Sequence, residues 1–179
     1  MAGDSRNIYF CGMIGSGKTT IGMRLAEDLS LPFYDLDREM DRHLGYSFHR
    51  LVREEGWLAF RELEYSICKE FASRTRSLVC LGGGTVRYEW NMDVLRGTGL
   101  IILLTAALPE LARRVRLADR PRVNKGTSLE QDLEKIWSKA GDKYRRAADW
   151  IYPTDDKTPG EAVEELKPKL REYLVLGKI

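Results

Sequence analysis

Gly12, Gly15 and Gly17 stand close together in Gly12-Met13-Ile14-Gly15-Ser16-Gly17-Lys18-Thr19-Thr20, directly after the apolar run Ile8-Tyr9-Phe10. The spacing Gly12-x-x-x-x-Gly17-Lys18-Thr19 fits the P-loop pattern and lies between an apparent strand and an apparent helix, as the pattern requires. Glycines let consecutive backbone amides turn inward and approach an anion closely. The helix that follows adds unpaired N–H groups and the positive end of its dipole. Gly12, Gly15, Ser16, Gly17, Lys18, Thr19 and Thr20 are therefore the candidate phosphate-binding positions. Lys18 can reach the outer phosphates, and the Thr19 hydroxyl can ligate Mg²⁺. The competing reading, a glycine-rich turn that binds nothing, leaves the match at every fixed position unexplained.

A bound triphosphate is not a function, because switches, motors and small-molecule kinases share this loop. Further clusters bear on the choice. Phe33-Tyr34-Asp35-Leu36-Asp37 places two carboxylates two residues apart, which on a strand puts both on one face at the sheet's carboxyl edge. They could serve Mg²⁺ and a substrate hydroxyl; the alternative is a helix cap and a surface charge. Gly82-Gly83-Gly84 follows another apolar run, where successive amides could form an anion nest. Arg61, in Gly56-Trp57-Leu58-Ala59-Phe60-Arg61-Glu62-Leu63-Glu64, would pair with that nest to suit a carboxylate, although a helix arginine taken alone is usually solvated. Residues 118–128, ADRPRVNKGTS, are polar, basic and rich in breakers, and they read as a mobile loop containing Arg120.

The elements that position these groups alternate. Candidate strands are Asn7–Cys11, 33–36, 78–81, 100–104 and 150–152. Helical spacing recurs in Ile21, Leu25, Ala26 and Leu29, in Leu108, Leu111, Ala112 and Val115, and in Leu129, Leu133, Ile136 and Trp137. A last helix carries Ala162, Val163, Leu166 and Leu170, with Pro159 near its start, where a missing N–H is harmless. Such alternation implies a mostly parallel sheet covered on both faces.

At 179 residues the chain suits one domain with a substantial core. A net charge of +2 gives no reason to expect bulk nucleic-acid binding. Cys11, Cys68 and Cys80 show no disulfide-framework spacing, and His43 and His49 lie near no cysteine cluster, so neither a stapled secreted fold nor a zinc site is expected. No apolar run approaches the length that spans a bilayer, and residues 1–7 lack a signal-peptide pattern. A cytoplasmic setting is the expectation.

Taken together, the early P-loop, LPFYDLD, GWLAFRELE, LGGGT, ADRPRV and YRRAADWIYPTDD resemble, in order and spacing, the motifs of shikimate kinases, over nearly the whole chain. The resemblance implies one domain over residues 1–179. Its fold would be a three-layer α/β/α P-loop kinase fold with a five-stranded parallel sheet in order 2-3-1-4-5 and a mobile lid at about 118–128. It implies ATP-dependent phosphorylation of the 3-hydroxyl of shikimate by a monomer, with ATP and Mg²⁺ as cofactors, no nucleic-acid partner and no membrane. By position, Lys18 would bind the β- and γ-phosphates, Thr19 would bind Mg²⁺ with Asp35 assisting through water, and Asp37 would orient the attacking hydroxyl. Arg61 with Gly82, Gly83 and Gly84 would take the substrate carboxylate. Arg120 would close over the phosphates. Arg114 would stack on adenine, helped by the loop around residues 154–157.

Two departures from the family pattern stand out. Members follow the lid arginine with Pro-Leu-Leu, where this chain has Pro121-Arg122-Val123. Members also carry a second carboxylate-binding arginine four residues before the tyrosine that corresponds to Tyr144, where this chain has Ala140. Lys139, Lys143 and Arg145 are nearby cations at other helical angles, and Gly141 would interrupt the helix. The transfer machinery is thus complete in the sequence while the acceptor side lacks a cation. Two alternatives stay open: a paralogue that phosphorylates another small hydroxylated acceptor, and a nucleotide-binding module without transfer chemistry.

Overall fold

Strand β1 (Asn7–Cys11) is buried along its whole length, as a strand must be when helices cover both faces of its sheet. A computed structural model of the chain describes residues 6–117 and 127–177. In it β1 is flanked by β3 (Leu78–Cys80) and β4 (Gly99–Thr105), with β2 (Phe33–Asp35) outside β3 and β5 (Trp150–Pro153) outside β4. All pairings are parallel and the order is β2-β3-β1-β4-β5. The register sets Ile8 opposite Leu78 and Leu100, and Leu103 opposite Ile151.

Strand alternation sorts the core into two halves. Ile8, Phe10, Leu78, Cys80, Ile102 and Leu104 face α1 (Lys18–Leu29) and α7 (Pro159–Leu176), burying Leu25, Ala26, Leu166 and Leu170 among them. Tyr9, Cys11, Val79, Leu81, Ile101 and Leu103 face the other way. There they meet Met40 of α2 (Leu36–Leu44), Phe71 of α3 (Phe48–Ser73), Met92 of α4 (Glu89–Leu95), Leu111 of α5 (Leu108–Leu117) and Tyr144 of α6 (Leu129–Ala147). The result is the three-layer α/β/α arrangement expected from the resemblance. Among the described residues no helix is long and apolar enough to cross a membrane.

Several local expectations change. β2 ends at Asp35, not at residue 36: Asp35 is the last extended residue (φ −123°, ψ 122°), and its carboxylate accepts from the Arg38 amide at 3.4 Å. That cap starts α2 at once, so Asp37 sits in the first helical turn and not two residues along a strand from Asp35. Gly141 does not interrupt α6, which runs unbroken and opens on a capping box between Ser128 and Gln131. Strands β3, β4 and β5 differ from their expected bounds by a residue at one or both ends. α3 has no counterpart in the apolar spacings read from the sequence. It carries a break at Gly56 (φ 88°, ψ −179°), where the direction of the helix resets. Arg120, Pro121, Arg122 and Val123 lie outside the described residues, as does most of the expected lid.

Candidate active site

The chemistry-bearing groups gather just beyond the carboxyl ends of the strands, the edge where open α/β sheets hold ligands. Gly12 follows β1, Asp37 follows β2, Gly82 follows β3 and Thr154 follows β5. The P-loop is held in shape by backbone geometry. Gly12 has φ 144°, and a Cβ there would stand 2.4 Å from the Leu104 carbonyl oxygen. Gly15 has φ 84°, and its Cβ would meet the Leu111 carbonyl oxygen at 2.9 Å. Neither position admits a side chain. Gly17, left-handed as well, is the N-cap of α1.

Lys18 folds back over this loop, its ammonium donating to the carbonyls of Gly12 (2.8 Å) and Met13 (3.1 Å). Burial lowers its pKa, while the fields of Cys80, Asp37, Cys11 and Asp35 act to raise it. Ser16 is buried, and its hydroxyl has no hydrogen-bond partner among the described residues. The Thr19 hydroxyl donates to Asp35 at 2.8 Å, bringing together the two residues expected at a metal. A hydroxyl beside a carboxylate is a hard oxygen pair suited to Mg²⁺, which keeps waters and phosphate oxygens as its other ligands. Among the described residues there is no group of three or more acidic, His or Cys side chains that could hold a metal alone.

Beside the loop lies a cavity of about 520 Å³, lined by Thr20, Arg114 and Thr154 among others. Arg114 is pinned from both sides. Its Nε donates to Glu110 at 2.6 Å, Nη1 donates to the Thr154 hydroxyl at 3.0 Å, and Nη2 donates to the Thr154 carbonyl at 2.6 Å. Glu110 in turn takes hydrogen bonds from Arg113 and Arg114, which hold its carboxyl down to about 2. Arg114 thus presents a fixed, flat guanidinium at the cavity wall.

The other half of the site is built around Gly82, Gly83 and Gly84. None of these has a positive φ, so their amides are presented by a turn and not by alternating backbone hands. At two of them a side chain would crowd its neighbours. A Cβ on Gly82 would lie 3.0 Å from the Thr85 hydroxyl and 3.2 Å from Asp37 Oδ1, and one on Gly84 would lie 2.4 Å from Arg87 Nη2. The amides of all three make no hydrogen bond among the described residues. The second of these distances also locates Asp37: it stands against Gly82 and contributes to the field at Lys18.

Arg61 is nearly buried, with its side chain 12% exposed. Its guanidinium packs against the Tyr88 ring (4.4 Å) and the Phe60 ring (4.6 Å). One nitrogen donates to Glu64 at 2.7 Å, while Nε is buried without a partner among the described residues. Glu64 was not anticipated as a site residue. Its carboxylate also accepts from the Thr85 hydroxyl at 2.8 Å and from the Asn91 amide at 3.1 Å. It therefore ties α3 to the 3-10 turn Thr85–Arg87 and to α4. A signal existed: Phe60, Glu64, Ile67 and Phe71 share one helical stripe, and an acidic residue on an apolar stripe must be paired to be buried. Breaking such a pair strands the partner's charge, so Glu64→Ala should cost about 3–5 kcal/mol of stability. Urea unfolding would check this; a loss below about 1 kcal/mol would mean the pair behaves as a solvated one.

Of the cations flanking Ala140, Lys143 donates to the Arg87 carbonyl at 3.0 Å, Arg145 pairs with Asp142 at 2.9 Å, and Lys139 is exposed. Ala140 itself is buried. Tyr144 reaches the triplet and donates its hydroxyl to the Gly83 carbonyl.

Known proteins resemble this chain along most of its length. The shikimate kinase family model matches residues 14–171. Shikimate kinase of Chlorobaculum parvum is 35% identical over 176 residues, covering 93% of both chains. That of Pseudomonas aeruginosa is 32% identical over 167 residues, covering 93% of this chain and 96% of the relative. Among solved structures, shikimate kinase from Acinetobacter baumannii in complex with shikimate superposes with a TM-score of 0.85 at 29% identity, covering 95% and 96% of the two chains. With a family model spanning most of the sequence, and curated relatives above 30% identity along nearly their full length, the chain belongs to the shikimate kinase family.

Proposed function

We propose that this protein transfers the γ-phosphoryl group of ATP to the 3-hydroxyl of shikimate. The observation that carries the reading is the position of Asp37. Its carboxylate lies against Gly82 on one side and acts on Lys18 on the other, so one group joins the acceptor half to the phosphate half. In this reading the P-loop amides and Lys18 bind the β- and γ-phosphates. Lys18 leaves the carbonyls of Gly12 and Met13 for the more negative phosphate oxygens. Thr19 would hold Mg²⁺, with Asp35 assisting through water, and the ion would supply charge neutralisation at the transferring group. Asp37 orients the attacking hydroxyl and accepts its proton. Arg61 and the unpaired amides of the glycine triplet receive the carboxylate. Arg114 flanks the adenine, and Arg120 contributes a further cation to the phosphates.

The chain acts as one domain over residues 1–179, as a monomer in the cytoplasm. Ala140 favours a second reading, a relative with another hydroxylated acceptor. Coupled measurement of ADP release with Mg·ATP separates these. Saturable release on adding shikimate, with phosphate found on O3, is the expected result. Stimulation by a different hydroxy acid alone would move the chain to the second reading. Nucleotide binding without release on any acceptor would make it a binding module.

A further inference from the structure

The 3-10 turn that follows the glycine triplet ends in Arg87, a half-buried residue. Its guanidinium leans back over the triplet. Nε lies 3.4 Å from the Gly84 carbonyl oxygen, and Nη2 occupies space that a side chain at position 84 would need. The turn is clamped from α6: Lys143 holds the Arg87 carbonyl at 3.0 Å, and Tyr144 holds the Gly83 carbonyl. Ala140 is one turn before Tyr144 on the same buried face of α6, and it has no side chain that could reach the triplet.

Charge accounting points the same way. Arg61 is matched by Glu64, but no carboxylate among the described residues pairs with Arg87. Burial pushes the Tyr144 hydroxyl up to about 12, and the leading opposing influence is the positive field of Arg87, with Arg61 also contributing. Both guanidiniums therefore act at the point where Tyr144 meets the triplet. Nearby are the three triplet amides, which make no hydrogen bond among the described residues, and the buried Nε of Arg61, which has no partner among them. An unmatched cation, a second arginine with a spare donor and a row of free N–H groups make a seat for a carboxylate.

We infer that Arg87 supplies the second guanidinium for the acceptor's carboxylate, from the turn after the triplet instead of from position 140 on α6. The inference rests on the acceptor reading proposed above. It places the specificity of this chain in a side chain reaching down from the triplet's own loop. It also explains why Gly84 is glycine: a methyl there would push the guanidinium off its seat.

The test is steady-state kinetics of the wild type, Arg87→Gln and Arg87→Lys, each with shikimate and with shikimate methyl ester. A hydrogen bond to a charged group commands about ten- to a hundredfold in affinity. Arg87→Gln should raise the KM for shikimate by about that factor, with the loss in KM rather than in kcat. The KM for ATP should hold. The preference for acid over ester should shrink by the same factor, because the ester offers no charge to lose. Arg87→Lys should fall between. An unchanged acid-over-ester preference in Arg87→Gln overturns the inference, as does an equal loss on both substrates, which would mark a structural role. If Arg87→Gln does not fold, Arg87→Lys decides by the same criterion. Wild-type protein that does not phosphorylate shikimate overturns the acceptor reading, and this inference with it.

Discussion

Lys18→Ala is expected to abolish measurable phosphoryl transfer, by about 10³- to 10⁵-fold, while the fold persists. A single cation placed at a transferring phosphoryl group commands an effect of that order. The geometry gives the reason. The ammonium is already inside the P-loop, held among the described residues by the neutral carbonyls of Gly12 and Met13. Burial disfavours its charge there. Phosphate oxygens are stronger acceptors than carbonyls, and the negative charge on them shifts as the bond to the leaving group breaks. The lysine therefore gains most in the transition state, which is where rate is made. Removing it takes the lysine's donor from the Gly12 carbonyl, while the Met13 carbonyl keeps the Ser16 amide at 3.2 Å, and far-ultraviolet circular dichroism should be unchanged. Turnover within tenfold of wild type would remove Lys18 from the transfer step.

Asp37→Asn should lower kcat by about 10²–10⁴-fold, the range expected for a positioned proton acceptor. Nucleotide affinity should not fall. The sign follows from the field at Lys18, which Asp37 makes more negative. Neutralising Asp37 removes a charge that repels phosphate, so a non-hydrolysable ATP analogue should bind as well as before or slightly better. The amide keeps the size and one acceptor oxygen of the carboxylate, so its fit against Gly82 is preserved. Coupled ADP release checks the first claim and isothermal titration of the analogue the second. Collapse of analogue binding with kcat retained would place Asp37 on the nucleotide instead of the acceptor.

Much of this site was readable from the sequence, for identifiable reasons. The P-loop is legible because Gly12 and Gly17, with Lys18 and Thr19, sit at fixed offsets inside a strand–helix junction. The sheet order came from the resemblance, and the strands from apolar runs too short for helices. What stayed hidden involves tertiary approach. Asp37 was placed on a strand because residue spacing cannot show that Asp35 caps a helix one residue earlier. The glycine triplet reads from the sequence as a run of amide donors, but the close approach of Thr85, Asp37 and Arg87 to it is announced by no local pattern. The apolar stripe that carries Glu64 marks it as buried and paired, but its partners Thr85 and Asn91 come from distant positions that spacing does not show. Arg87 lies next to a motif without belonging to it. The lid residues, Arg120 among them, lie outside the described structure.

The break in α3 at Gly56 divides a long helix into two cooperative lengths. Cooperativity along a helix passes through its hydrogen-bond ladder, and a residue at φ 88° and ψ −179° interrupts that ladder. The portion after the break buries Phe60, Glu64, Ile67, Cys68 and Phe71, while the portion before it buries Leu51 alone. Local opening therefore has unequal thresholds: residues 48–55 can fray at a small fraction of the global unfolding free energy, and residues 57–73 cannot. A single unbroken helix would have transmitted each opening from one end to the other. Gly56 acts as a firebreak, so that fluctuation in the outer length leaves Arg61 in register with the site it serves.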